Sequence, residues 1–170
     1  GDGVDASVIN SDGKGHYKVL INKYFKYSDE ISQNIYKLKR NINNIDDVKI
    51  FNTEINDLER KITLFHSNVV SSFAKNKDIK IDLIGFHGQT ILHNPRNKYS
   101  KQLGDGNLLS QLSKKMVIYN FRQNDLLQGG EGAPLSPIFH QIIVKEKKID
   151  LPVCILNIGG ISNLTLIKDL

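Results

Sequence analysis

The start of the chain alternates between small or apolar residues and polar ones. The stretches "VDASVIN" and "YKVLINKYFKY" both follow this alternation, and the segment "SDGKG" between them consists largely of turn-forming residues. Alternation is typical of a strand with one buried face, and a glycine-rich link is typical of a tight connection between two strands. The pattern therefore predicts a β-hairpin.

Two later stretches repeat apolar residues every three or four positions, which predicts helices. Ser28 is placed to cap the first helix, and the polar segment "NNIDD" predicts a link after it. Two further helices are predicted over "GDGNLLSQLSKK" and "SPIFHQIIVKEKK". The apolar positions of the first two helices are Ile31, Ile35, Leu38 and Ile42, then Ile55, Leu58, Ile62, Phe65, Val69 and Phe73.

Short apolar runs separate these helices. The runs "KIDLIGFHG", "MVIYNF" and "LPVCILNIGG" predict buried strands, and "ISNLTLI" predicts a strand that turns back from the last of them. A hairpin followed by strands that alternate with helices predicts an α/β fold, whose mixed sheet has parallel members covered by helices. Cys154, the only cysteine, lies in the last run and is predicted to be buried and inert.

Composition narrows the class of protein. With 170 residues, 39% of them hydrophobic and 24% charged, the chain is long enough for one good core. The net charge of +5 comes from scattered lysines, so we expect no nucleic-acid partner. No run has the length of a membrane span or the features of a signal peptide, so we expect a cytoplasmic protein without a membrane partner.

The two ends of the sequence look cut. The chain opens on "GDGVDAS" without a methionine, and it stops at "LTLIKDL", in the middle of a strand-like pattern. We therefore interpret the sequence as a piece of a longer protein. We expect the piece by itself to be inactive and poorly soluble, because a strand edge and an apolar hairpin would be left without partners.

Four glycine-bearing loops border the predicted strands: "GDGVDAS", "GFHGQT", "GGEGAP" and "NIGGISN". Glycine lets backbone N–H groups approach a phosphate closely, and open α/β sheets bind ligands at the carboxyl ends of their strands. Each loop taken singly is equally well explained as a turn, and none matches a P-loop or dinucleotide fingerprint. His87 and His93 lack the spacing of metal ligands, so no metal site made of protein side chains is predicted.

Four aspartates carry candidate chemistry, each with a structural alternative. Asp125 lies between the strand "MVIYNF" and the glycines of "GGEGAP"; on spacing it is either a turn or helix-cap residue on a bend or a catalytic carboxylate. Asp2 and Asp5 either cap a loop or orient water or Mg²⁺ beside a polyphosphate. Asp105 either caps the helix that begins after it or faces a ligand.

The motifs taken together are more specific than any one of them. "DGVDAS", "GFHGQT", "QLGDGN", "NFRQNDLLQGGEGAPLSPIFH" and "LNIGGISN" follow one another with suitable separations. In this the chain resembles, nearly end to end, the anhydro-N-acetylmuramic acid kinases, which are sugar kinases of the actin/Hsp70/hexokinase-like superfamily. The resemblance implies an RNase H-like (actin-like ATPase) domain over residues 1–150, lacking its first strand, with a mixed sheet flanked by helices. Residues 151–170 would then be the first hairpin of a second, truncated domain.

The resemblance also implies an activity. These kinases use ATP and Mg²⁺ to open the 1,6-anhydro bridge of 1,6-anhydro-N-acetylmuramic acid and to phosphorylate O6, giving N-acetylmuramic acid 6-phosphate during peptidoglycan recycling. Asp125 would be the general base that activates the attacking water, a task suited to a group that is ordinarily ionised at neutral pH. The implied phosphate-binding residues are Gly1, Asp2, Gly3, Val4, Asp5, Gly159 and Gly160, and the implied sugar-binding residues are His87, Gln89, Thr90, Asp105 and Arg122.

The sequence also departs from the family pattern and leaves alternatives open. Asn120 stands where an aspartate is commoner, and the adenosine pocket of the family would lie beyond Leu170. Another sugar kinase of the same superfamily, or a non-catalytic domain remnant, is compatible with the residues. The oligomeric state is not determined by the sequence, and a homodimer is compatible with it.

Overall fold

The computed structural model describes residues 2–158 and 162–170, so the predictions for Gly1, Gly159 and Gly160 lie outside the described residues. A short 3₁₀ turn, Pro95–Asn97, separates the fourth and fifth strands. Groups of strands and groups of helices follow one another along the described chain. They are β1 (Gly3–Ser11), β2 (Tyr17–Lys26), α1 (Asp29–Asn41), α2 (Ile45–Ile50), α3 (Asn52–Ala74), β3 (Leu83–Phe86), β4 (Gln89–Asn94), β5 (Tyr99–Leu103), α4 (Gly106–Ser113), β6 (Met116–Tyr119), α5 (Phe121–Leu127), α6 (Pro137–Lys147), β7 (Val153–Asn157) and β8 (Asn163–Ile167).

The α/β class is confirmed, and the pairing of the strands is more divided than predicted. In the described residues the strands form four two-stranded sheets, β1 with β2, β3 with β6, β4 with β5, and β7 with β8. The β3/β6 pair is parallel, whereas β4/β5 and β7/β8 are antiparallel. The sequence predicted a single mixed sheet, but the hydrogen bonds of these residues do not form one. Apolar patterning identifies a strand, but its partner depends on contacts between distant parts of the chain.

The chain divides into two compact units. The first comprises Gly1–Ser7 and Asn22–Gly132, and the second comprises Val8–Ile21 and Ala133–Leu170. The hairpin of β1 and β2 thus contributes residues to both units. These units divide the chain at positions other than residue 150. They do not test the boundary that was predicted between two family domains at residue 150, which stays a prediction.

The core of the first unit lies between α1, α3 and the β4/β5 hairpin. The apolar positions predicted for α1 and α3 are buried there, including Ile35, Leu58 and Ile62, and Leu103 of β5 packs against them. Ser28 caps α1 as predicted, because its Oγ accepts a hydrogen bond from the N–H of Ile31 at 3.3 Å. The periodic pattern therefore identified both the helices and the face that they bury.

Two features of the first unit were not expected from the sequence. The polar link contains the short helix α2, which Asn44 and Asp47 begin with reciprocal side-chain to backbone hydrogen bonds. The β4/β5 hairpin was also missed, because its turn is built by Asn94, whose Oδ1 accepts from the N–H of Asn97 at 3.2 Å, and by Lys98 in the left-handed region. In both cases a short polar side chain caps the backbone where the composition indicated only a loop.

The short strands are less buried than predicted. Leu83, Met116 and Leu156 are 53%, 67% and 57% exposed, and Cys154 is exposed instead of buried. The reason is that helices pack on these pairs from one side, α4 against β6 and α6 against β8, so alternate side chains point away. On β7/β8 the outward residues form an apolar face made of Cys154, Leu156, Leu164 and Leu166.

No helix in the part of the chain that the structure describes combines the length and the apolar character needed to span a bilayer.

The packing of α3 leads to a matched pair of stability predictions. Ile62 is fully buried, whereas Leu64, two positions further on, is 40% exposed. We expect Ile62→Ala to lower the free energy of unfolding by about 2–5 kcal/mol through lost burial and a cavity. Leu64→Ala is expected to change it by about 0.5 kcal/mol. Urea denaturation of the complete protein measures both, and equal losses would contradict the packing described for α3.

Candidate functional site

Asp125 lies on a helix, not on a bend as predicted. Asn120 alone connects β6 to α5, and its φ of 60° lies in the left-handed region. Asparagine tolerates this conformation better than most residues, so its presence at position 120 suits the connection. Because one left-handed residue redirects the chain, α5 begins at once and carries Asp125 in its last turn. This helix was not predicted, because the segment "RQND" within it is polar.

The carboxylate of Asp125 holds the glycine loop that follows α5. Its Oδ2 accepts a hydrogen bond from the N–H of Gly132 at 2.7 Å, and its backbone carbonyl accepts from the N–H of Gly130 at 2.9 Å. A Cβ atom on Gly130 would strike the carboxylate of Asp125. Oδ1 receives no hydrogen bond from the residues that the structure describes. The carboxylate thus has a structural role through one oxygen and an available acceptor in the other.

Arg122 connects the same loop to His87. Its Nη1 donates to the carbonyl oxygen of Gly132 at 2.8 Å, and its Nε donates to Nε2 of His87 at 3.0 Å. Nδ1 of His87 lies 2.9 Å from the carbonyl oxygen of Gly88, which can only accept, so Nδ1 carries the proton. Desolvation of the ring lowers the pKa of His87 from its ordinary 6.5, and the charge of Arg122 adds to this, although part of the side chain stays exposed.

Two of the other predicted sugar-binding residues, Thr90 and Asp105, have hydrogen-bond partners of their own. Gln89 and Thr90 begin β4, and Oγ1 of Thr90 accepts from Nε2 of Gln102 at 3.4 Å. Oδ1 of Asp105 accepts from the N–H of Leu108 at 2.9 Å, so the capping alternative for Asp105 is confirmed. Among the predicted residues, the described hydrogen bonds join His87 and Arg122 to the loop held by Asp125, and they do not join Gln89, Thr90 or Asp105 to it.

A cavity of about 390 Å³ opens beside His87. Its walls include the rings of Phe86, Tyr99 and Tyr119. Oε1 of Gln102 is buried and has no hydrogen-bond partner among the described residues. Asp125 is not part of the wall and is linked to it through Arg122 and His87. The polar side chains of the wall, besides the two tyrosines, are Glu59, His87, Ser100, Lys101, Gln102, Asn120 and Gln123.

The cavity depends on residues that the sequence did not single out. Oε1 of Glu59 accepts from Nζ of Lys101 at 2.8 Å and from the N–H of Gly104 at 3.3 Å, which ties α3 to the end of β5. Gln123 ties α5 to the same strand, since its Oε1 accepts from the N–H of Ser100 at 3.3 Å. The turn-forming residues of "NPRNK" were a signal in the sequence that could have indicated a strand on either side of them.

Four of the predicted phosphate-binding residues, Asp2, Gly3, Val4 and Asp5, lie just before β1 or in its first residues. Gly3, Val4 and Asp5 belong to the strand, so the prediction that Asp5 lies in a loop is wrong. Strand pairing explains this, because the carbonyl of Asp2 accepts from the N–H of Tyr27 at 2.9 Å and draws the segment onto the end of β2. Desolvation and then the charges of Asp2 and Asp5 raise the pKa of Tyr24, which indicates that both carboxylates lie near its hydroxyl.

The described residues contain no group of three or more histidine, cysteine, aspartate or glutamate side chains arranged to hold a metal ion.

Comparison with known proteins gives one consistent result. A family profile described as "Anhydro-N-acetylmuramic acid kinase" matches residues 1–169. Proteins named anhydro-N-acetylmuramic acid kinase from Pelagibacter ubique, Agrobacterium fabrum and Rhizobium etli are 54%, 36% and 34% identical to this chain over 166, 173 and 170 residues. These matches cover 98%, 99% and 98% of this chain but 44%, 46% and 46% of the relatives. The chain thus spans less than half the length of the curated relatives it matches.

Proposed function

This chain belongs to the anhydro-N-acetylmuramic acid kinase family, and we propose that the complete protein containing it phosphorylates 1,6-anhydro-N-acetylmuramic acid with ATP. The match over residues 1–169 is the observation that carries the proposal. The product is N-acetylmuramic acid 6-phosphate, and the process served is the recycling of peptidoglycan.

In the proposed reaction Asp125 is the general base. The oxygen of water forms a bond to C1 of the sugar, the C1–O6 bond breaks, and O6 takes the γ-phosphoryl group of ATP, which leaves as ADP. The proton of the water passes to Asp125. Two observations support this role: Oδ2 is held by the N–H of Gly132 at 2.7 Å, and Oδ1 receives no hydrogen bond from the described part of the chain. A positioned base of this kind contributes about 10²–10⁴ to the rate.

The proposed sugar contacts come from His87, Gln89, Thr90, Asp105 and Arg122. The neighbouring cavity of about 390 Å³ supports a small polar ligand, since sugar sites combine aromatic walls with a few placed polar groups. The buried Oε1 of Gln102, which has no partner among the described residues, is an acceptor that a sugar hydroxyl would satisfy. Asp105 already uses Oδ1 to cap α4, so its contact would be made by Oδ2.

The proposed nucleotide contacts are Gly1, Asp2, Gly3, Val4, Asp5, Gly159 and Gly160. Asp2 and Asp5 would hold Mg²⁺ beside the phosphates; carboxylate oxygens are ligands that this ion prefers, and it ordinarily uses one or two of them with phosphate oxygens and water. When bound, Mg²⁺ neutralises charge that develops on the transferred phosphoryl group.

Several further features of the proposal follow from the family resemblance. They are the RNase H-like topology over residues 1–150, the second-domain hairpin over 151–170, and the cytoplasmic location. A homodimer is compatible with these features.

A substrate panel on the complete protein tests the proposed function. With ATP and Mg²⁺, we expect ADP to form with 1,6-anhydro-N-acetylmuramic acid and not with N-acetylmuramic acid or N-acetylglucosamine. The expected product is heavier than the anhydro-sugar by one water and one phosphoryl group, which mass spectrometry detects. Phosphorylation of the ring-opened sugars at a similar rate would favour another sugar kinase, and the absence of turnover with every sugar would favour a non-catalytic protein.

A further inference from the structure

We propose that Arg122 and His87 are positioning residues for Asp125, which act by fixing Gly132 so that its N–H holds one oxygen of the carboxylate. The inference rests on the proposed function for its kinetic consequence. It adds to the general-base role of Asp125 a specific mechanism by which two other side chains orient the base.

Gly132 is held from both of its backbone polar groups. Its carbonyl oxygen accepts from Nη1 of Arg122 at 2.8 Å, and its N–H donates to Oδ2 of Asp125 at 2.7 Å. The residue is buried and has a φ of +68°. A Cβ atom there would lie 2.9 Å from the side chain of Leu126 and 3.1 Å from that of His93, so the surroundings leave Gly132 little room. The orientation of the Asp125 carboxylate therefore depends on the position of this residue.

The guanidinium of Arg122 suits this task because it is planar and donates in two directions at once. Nη1 donates to the carbonyl oxygen of Gly132, and Nε donates to Nε2 of His87 at 3.0 Å. Two fixed acceptors therefore set the plane of the guanidinium group. A lysine has the same charge, but its single nitrogen on a flexible stem lacks the rigid planar fork that matches these two acceptors. Arg122 is partly buried, which raises the cost of leaving either of these donors unpaired.

His87 completes the arrangement only in its neutral form. Nδ1 carries the proton toward the carbonyl of Gly88, which leaves the lone pair of Nε2 for Arg122. A proton on Nε2 would remove that acceptor and place a second positive charge against the guanidinium. The cavity that His87 lines also has titratable side chains in its wall: Glu59, which pairs with Lys101, and Tyr99 and Tyr119.

The pKa of His87 gives this arrangement a pH dependence. Desolvation and the charge of Arg122 lower the pKa of His87, which favours the neutral ring. The stabilisation that the neutral ring gives to this arrangement is complete at pH values above 6.5, the ordinary pKa of histidine. It is lost as the pH falls through the lowered pKa that His87 has in the folded protein.

The first test is Arg122→Lys in the complete protein. Because the base would lose its fixed orientation, we expect kcat to fall about 10- to 100-fold with the KM for ATP within about threefold of wild type, in addition to any rise in the KM for the anhydro-sugar that the proposed contact of Arg122 with the sugar causes. We also expect faster hydrogen exchange of the Gly132 amide, measured by NMR, with a thermal midpoint close to wild type. A raised KM for the sugar with unchanged kcat would overturn the inference and leave Arg122 as a sugar contact only.

The second test uses His87. His87→Gln places an uncharged acceptor where Nε2 lies, so we expect the Gly132 amide to stay protected at low pH, where wild type loses protection. His87→Ala should lose that protection at every pH. Unchanged Gly132 exchange in Arg122→Lys and His87→Ala would overturn the inference whatever their activity. Because amide exchange requires no turnover, this result remains decisive even if the substrate panel excludes the proposed kinase.

Discussion

Replacing Asp125 by asparagine in the complete protein is expected to lower kcat by at least about 10²-fold, with ATP binding within a few-fold of wild type. The amide cannot take a proton from water at neutral pH, so the attacking nucleophile would lose its base. The volume is conserved, and the amide oxygen can still accept from the N–H of Gly132, which the carboxylate now does at 2.7 Å. The change therefore separates the chemistry of Asp125 from its role in holding the loop.

Steady-state kinetics and calorimetry with ATP measure the two effects. Asp12→Asn is the matched control, because Asp12 also accepts backbone hydrogen bonds through Oδ1, from Lys14 at 2.8 Å and His16 at 3.0 Å, but lies in the β1/β2 turn. We expect that control to keep the wild-type kcat. An Asp125→Asn protein that retains more than about a tenth of the wild-type kcat would contradict the general-base role, since the expected loss is at least about tenfold larger.

Gly130→Ala is expected to lower kcat by about 10²-fold without removing any polar group, because a misplacement of about 1 Å at a reacting group has an effect of this size. The added Cβ would strike the carboxylate of Asp125. Because Oδ2 is held by Gly132, the carboxylate must either leave that hydrogen bond or push the loop away. In both cases the base moves relative to the sugar.

Two other glycines provide the controls for Gly130→Ala. Gly129 has a φ of +92° and nothing within 4 Å of the position that a Cβ would take, so Gly129→Ala should cost about 1–2 kcal/mol of stability and leave kcat within a few-fold. A Cβ on Gly85 would lie 3.7 Å from the ring of Phe121, an ordinary contact, so Gly85→Ala should be neutral. Thermal unfolding and steady-state kinetics of all three variants measure these changes in stability and kcat. Wild-type kcat in Gly130→Ala, or an equal loss in Gly129→Ala, would contradict the contact.

The sequence alone determined the features that depend on neighbours within a few positions. Apolar patterns identified the helices α1, α3, α4 and α6 and the face that α3 buries. Alternation identified the β1/β2 hairpin, and a short apolar run followed by a returning strand identified the β7/β8 hairpin. Local capping by Ser28 and Asp105 was also within reach, because the side chain and the N–H it binds are three residues apart. The order of the glycine motifs was enough to predict the family, which the match over residues 1–169 confirms.

Only the tertiary structure decided which residues meet. Arg122 and His87 are 35 positions apart, and Glu59 and Lys101 are 42 apart, so their contacts exist only after the chain has closed on itself. The same holds for strand partners and for burial: Cys154 and Met116 lie in apolar runs but face outward because one side of each strand pair packs on a helix. Asp125 lies on α5 because Asn120 adopts the left-handed conformation, and the spacing of apolar residues does not indicate that conformation. Periodicity reports which side chains avoid water locally, whereas a hydrogen bond between distant residues is set by the free energy of the whole fold.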